Sequence, residues 1–212
     1  MSGLAVLARA LDPEVGTPDD AVSERILDAA LALGAAAGLR NLTMDDVAGR
    51  ARVGRMTVYR RFKDRDGLVD ALVVRETRRC LAELDAATAP DDPIDEQVAA
   101  GFVTSLRIAA RHPLLARLAR IEPEVVLEAL NAGEAGAFRP AVAFLAHRLQ
   151  LARQAGVVSE DVDLQVAAEL LVRVAFSFVL VPGSELPLDD EDALRAIARR
   201  HLVPLVATRA RA

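Results

Sequence analysis

The chain has 212 residues, 52% of them hydrophobic but only 3% aromatic, with one cysteine, three histidines and a formal net charge of −5. A lone cysteine excludes an internal disulfide and a thiolate metal cluster. The histidines fall in no His-Glu-x-x-His or Glu-x-x-His spacing and no Gly-rich phosphate loop is present, so neither a metal, a cofactor nor an enzymatic function is expected.

Richness in Ala, Leu, Val and Arg favours helices and gives strands little to work with, so the fold class is all-α. Residues 1–18 end in Gly16-Thr17-Pro18 and read as an N-terminal arm. Their apolar start lacks a basic leader and is broken by Arg9, Asp12 and Pro13, which does not match a signal peptide. The longest apolar run, near residues 170–182, is interrupted by Arg173 and is too short to span a bilayer. A cytoplasmic protein with no membrane partner is expected.

A first helix is predicted over about 22–37, leaving through Gly38-Leu39. Residues 43–62 then read as two short helices joined by a tight turn. Thr43 can cap the first, with Asp46 three residues on as a capping-box partner. Met44, Val47, Ala48 and Ala51 fall at helical spacing and face the core. Gly54 is placed as N-cap of the second helix, whose buried stripe is Val58 and Phe62. Its opposite face carries Arg55, Met56, Tyr59 and Arg60.

That face has the chemistry of base readout. Arginine donates a bidentate pair to guanine O6 and N7, for about 1–3 kcal/mol of discrimination, and methionine offers apolar contact to a thymine methyl. The hydroxyls of Thr57 and Tyr59 suit phosphate oxygens, which position a helix without reading sequence; Arg60 and Arg61 suit either task. Between Arg40 and Arg65 eight basic residues face three acidic ones, giving +5 there and −10 for the rest of the chain. A basic patch on an acidic body is the footprint of local DNA binding.

On these residues, 21–72 resembles the DNA-binding domain of the TetR (tetracycline repressor) family of transcriptional regulators. The matching positions are Thr43, Val47-Ala48, Val53, Thr57, Tyr59, Phe62 and Leu68. The resemblance implies backbone contacts from Thr43 and Tyr59, backbone or base contact from Thr57, and base-edge positions for Arg55, Met56, Tyr59 and Arg60. Arg65 replaces the usual lysine and keeps a phosphate contact. Gly54 stands where serine is frequent, Arg52 where a small turn residue is usual, and Gly34 where an aromatic usually closes the first helix. The expected DNA-binding set is Thr43, Gly54, Arg55, Met56, Thr57, Tyr59, Arg60 and Arg65.

Beyond the head, residues 1–18 form the arm, 19–65 the helix-turn-helix domain and 66–212 a helical effector-binding and dimerisation domain. Helices are predicted at about 66–87, 94–111, 113–120, 123–131, 137–155, 164–181 and 189–207, with a loop at 133–136. The helix at 164–181 is apolar nearly all round and is expected to be buried on several sides. The last helix shows a stripe of Leu194, Ile197, Ala198, His201, Leu202 and Leu205. By the resemblance these two form a four-helix interface in a homodimer that binds a palindromic double-stranded operator. The resemblance also implies a pocket for a small apolar effector. Phe102, Leu106, Leu114, Leu118, Val126, Leu130, Phe144 and Phe176 are apolar candidates, but periodicity does not separate pocket from core and the ligand residues stay unknown. His112, His147 and Arg173 are read as structural.

Overall fold

The computed structural model describes residues 20–89, 91–124, 126–127, 138–181 and 184–207. These residues form α1 (Ala21–Ala37), α2 (Met44–Ala51), α3 (Arg55–Phe62), α4 (Arg65–Ala87), α5 (Ile94–Arg111), α6 (Pro113–Ile121), α7 (Phe138–Gln154), α8 (Leu164–Leu180) and α9 (Glu191–His201), followed by a 3-10 turn at Val203–Leu205. The N-terminal arm, the 133–136 loop and most of the helix expected at 123–131 lie outside the described residues; 123–124 and 126–127 are helical. Among the described residues no helix is long and apolar enough to cross a membrane.

Two compact units divide the chain. Of the described residues, 20–80 and 112–127 make the first, and 81–111 and 138–207 the second. The division therefore falls inside α4 rather than at 65/66, and α6 joins the head. The physical reason is a packed contact on α1. Gly34 is buried there, and a Cβ on it would stand 3.0 Å from Leu39 Cδ2 and 3.3 Å from Leu114 Cδ1. Glycine in a helix interior costs about 1 kcal/mol; here it admits Leu114 of α6 to the surface of α1. The glycine that replaces the expected aromatic is thus a packing device.

The first unit is a helix cluster around Ile26, Leu27, Val47, Val58, Leu68 and Leu72, all fully buried. Asp20 caps α1, its Oδ1 accepting from the Val22 and Ser23 amides at 2.9 and 3.1 Å. Beneath α1 lies a charged cluster. The Arg75 guanidinium, on a residue only 5% exposed, meets Asp28 at 2.9 Å, Glu24 at 3.2 Å and Glu76 at 2.7 Å. Glu76 Oε2 lies 3.1 Å from His112 Nε2. His112 Nδ1 accepts from the Leu115 amide as N-cap of α6, so Nε2 carries the proton and donates to Glu76. One network therefore ties α1, α4 and α6 together.

The second unit packs α5, α7, α8 and α9 around Phe102, Val103, Val142, Leu149, Leu164, Val172, Leu194 and Ala198. Phe102 meets Phe178 edge to face, with ring centroids 5.9 Å apart. One expectation is corrected here. The last helix stops at His201 rather than running to 207, because Pro204 has no amide to continue it and the chain tightens into a 3-10 turn. Of its expected stripe, Leu194, Ala198 and Leu202 are buried in this core, Ile197 and Leu205 are half-buried and His201 is exposed, and Arg195 and Arg199 reach Glu96 of α5. Helix α8 also divides its apolar residues. It buries Leu164, Ala167, Ala168 and Val172 but leaves Val166 and Leu170, with Val181 just beyond its end, exposed.

Candidate nucleic-acid interface

The two-helix motif forms as its residues require. Thr43 caps α2: its Oγ1 accepts from the Asp46 amide at 3.1 Å. The reciprocal half of the capping box is altered, because the Asp46 carboxylate is too short to reach the cap amide. It accepts the Thr43 hydroxyl proton instead, at 2.5 Å. A phosphate that takes a hydrogen bond from Thr43 must displace that carboxylate.

The turn runs through Arg52, in the left-handed region at φ 54° and ψ 47°, with its amide donating to Gly49 O. A side chain in that conformation costs about 1–2 kcal/mol. Arg52→Gly is expected to stabilise the protein by roughly 0.5–1 kcal/mol, a rise in Tm of about 2 °C by calorimetry. A fall in Tm would show that the Arg52 side chain itself supports the turn. Gly54 follows as N-cap of α3 without a side-chain bond; a Cβ there would meet only Thr57 Oγ1, at 3.7 Å.

On α3, Val58 and Phe62 are buried as their spacing requires. Met56 is 77% exposed, and Arg55 and Arg60 are exposed beside it, with Thr57 and Tyr59 half-buried. Arg60 makes no ion pair among the described residues. Arg55 is held on two sides. Asp45, in the first turn of α2, takes Nε through Oδ1 at 3.0 Å and NH1 through Oδ2 at 3.0 Å. The guanidinium also lies over the Tyr59 ring, 5.3 Å from its centroid, with NH2 donating to the Tyr59 hydroxyl at 3.4 Å. The Tyr59 hydroxyl, and then the Asp45 carboxylate, push the Arg55 proton affinity further up. Asp45 was invisible to sequence reading, since ten residues and a turn separate it from Arg55.

Two arginines serve the protein itself. Arg61, open to either role on sequence, turns inward to Asp20 and to Ser23 Oγ at 2.9 Å, tying α3 to the start of α1. Hydrogen bonds from the Ser23 amide above all hold the Asp20 carboxyl below its ordinary value. Arg65 donates from Nε to Leu42 O at 3.1 Å, from NH2 to Leu39 O at 2.7 Å and from NH1 to Asp66. It clamps the loop between α1 and α2, so any phosphate contact must share a guanidinium already engaged three times. Lys63, exposed at φ 66° past the end of α3, was not singled out by sequence. Beside α2, a cleft of about 360 Å³ is lined by Arg25, Asp28, Ala29, Ala32, Arg50, Ala51 and Arg52.

A buried-stripe helix pair whose second member presents Arg55, Met56 and Arg60 to solvent defines a helix-turn-helix DNA-binding protein. Comparison with known proteins agrees. The family of bacterial regulatory proteins of the tetR type matches residues 26–72. An uncharacterised HTH-type transcriptional regulator of Mycobacterium tuberculosis is 30% identical over 185 residues, covering 87% of this chain and 85% of that one. A second such regulator, YvkB of Bacillus subtilis, is 43% identical over 51 residues, 24% of this chain and 27% of its own. The chain belongs to the tetR family of transcriptional regulators. In fold it is similar to Salmonella enterica GusR, with a TM-score of 0.65 at 18% identity over 92% of this chain and 98% of that one. It is likewise similar to SmeT in its triclosan complex, with a TM-score of 0.64 at 23% identity over 89% and 93%.

Proposed function

We propose that this regulator is a cytoplasmic homodimeric repressor that binds a palindromic operator and leaves it when a small apolar effector binds the helical body. The observation that carries the reading is the α3 surface, where Arg55, Met56 and Arg60 are exposed and Tyr59 is half-buried; in this reading they meet base edges, and Thr43, Gly54, Thr57 and Arg65 meet the DNA backbone. Two copies of α3 read half-sites about 34 Å apart or a multiple of it, which gives the operator its two-fold symmetry.

The dimer face is assigned to α8, where Val166 and Leu170, together with Val181, are exposed although apolar; α9, whose Ile197 is half-buried and His201 exposed, contributes beside it. Leu170→Arg is expected to yield a folded monomer by light scattering, since the residue supports no intrachain core. A persistent dimer would move the interface elsewhere. The effector role is supported by the apolar body and by a structural relative solved with triclosan. Of the apolar candidates, Phe102 and Leu106 are buried and Phe144 and Phe176 half-buried in the second unit. Leu114, Leu118 and Val126 belong to the first, and Leu130 lies outside the described residues. Release is a population shift: an effector that favours one head spacing weakens operator binding, and the operator weakens effector binding by the same factor.

The test is selection of double-stranded DNA from a random library at about physiological salt, with Arg55→Ala in parallel. A palindrome enriched by the wild type alone is expected. No enrichment by the wild type overturns the reading.

A further inference from the structure

We infer that Asp45 is a specificity-determining residue of the DNA interface, acting through Arg55 by fixing which edge of its guanidinium meets the bases. The inference rests on the DNA-reading role proposed above. A guanidinium has five N–H donors in a rigid planar fork. Asp45 Oδ2 accepts from NH1 at 3.0 Å, and its Oδ1 stands 3.0 Å from Nε in the same ion pair. The Tyr59 hydroxyl faces one N–H of NH2 at 3.4 Å, and the Tyr59 ring covers one face of the plane. What remains is one N–H on NH1 and one on NH2, two donors for a base edge. That pair matches O6 and N7 of guanine.

Held in this way, Arg55 is biased away from a neighbouring phosphate before DNA arrives. Asp45 also places a negative charge at the interface, which opposes binding to every sequence alike. The pair thus lowers indiscriminate affinity and reserves Arg55 for guanine. The plain alternative is that Asp45 only complements the N-terminal dipole of α2, as acids in a first turn do. That role would leave base preference untouched.

The experiment compares wild type, Asp45→Asn, Arg55→Ala and the double variant, each by selection and by titration against the selected operator and random DNA. Both side chains are solvent-exposed, and circular dichroism checks that each variant is folded. For Asp45→Asn, affinity for random DNA is expected to rise about two- to fivefold as a repulsive charge is lost. The ratio of operator to random affinity is expected to fall about fivefold, the lower end of what a bidentate guanine contact supplies. Preference for guanine at one position of each half-site should relax. In the Arg55→Ala background, Asp45→Asn should no longer change base preference. An unchanged preference in Asp45→Asn overturns the inference, and so does a change that persists without Arg55, which would make Asp45 a direct base contact. Failure of the wild type to select any sequence removes the DNA-reading role itself and the inference with it.

Discussion

Replacing Arg55 by alanine is expected to weaken operator binding by about 1–3 kcal/mol, roughly 5- to 150-fold, and to relax specificity at one base pair per half-site. The size follows from geometry. Arg55 lies on the exposed face of α3, paired with Asp45 and resting on Tyr59, with one N–H to spare on each of NH1 and NH2. Alanine removes the fork and leaves the Asp45 carboxylate without its partner beside the phosphates, so affinity for random DNA should fall as well. Arg55→Lys separates the two effects: it keeps the charge and loses the fork. Titration against a panel of operators, each changed at one base pair, is the measurement. If Arg55→Ala weakened every operator equally and left preference intact, Arg55 would be a phosphate contact and Arg60 the stronger candidate for base reading. Folding should be little affected, since exposed ion pairs contribute about 0–1 kcal/mol.

The largest stability effect is expected within the head rather than at its surface. Arg75→Met keeps most of the side-chain volume but removes the cation from a buried cluster. Glu76, 7% exposed, loses its closest partner and keeps His112 and the half-exposed Arg79. Breaking a buried pair in this way costs about 3–5 kcal/mol; the surviving partners argue for the lower end. The loss should depend on pH in a defined direction. Burial alone pushes the Glu76 carboxyl up, but the His112 hydrogen bond and then the Arg75 charge pull it down, and together they leave it below its ordinary 4.5. A depressed carboxylate stabilises the fold fully above its unfolded value and loses that contribution as pH falls through the folded one. Wild type should therefore lose stability below about pH 4.5 as Glu76 takes a proton. The deficit of Arg75→Met should shrink over the same interval, because a neutral Glu76 no longer needs the guanidinium. Urea unfolding at pH 7 and pH 3.5 reads this directly. An equal deficit at both values would show that Arg75 acts by packing and not by charge. Because Glu24 and Asp28 of α1, Arg75 of α4 and His112 at the start of α6 share the cluster, its loss should also loosen the junction of those three helices.

By itself the sequence determined the all-α class, most helix boundaries and the place of the helix-turn-helix. These depend on local periodicity and on stop signals such as His112-Pro113, which the chain carries within a few residues of the feature concerned. The burial of Val47, Val58 and Phe62 and the exposure of Arg55, Met56 and Arg60 follow from the same period, and the structure shows both. Tertiary structure decided the partners. Asp45 meets Arg55 because the turn at Arg52 folds α2 back on α3. Arg61 and Arg65, indistinguishable on sequence from DNA-contacting arginines, are drawn to the N-cap of α1 and to the carbonyls of Leu39 and Leu42. Gly34 reads as a flaw in a helix until Leu114 arrives from 80 residues away to fill the space it leaves. Part of the apolar stripe of α9, Leu194, Ala198 and Leu202, is buried in the core of the same chain. In each case the local pattern specifies that a surface is apolar or that a guanidinium is present. Which group covers it depends on long-range packing, because hydrophobic burial and charge pairing are satisfied by whatever the fold brings near.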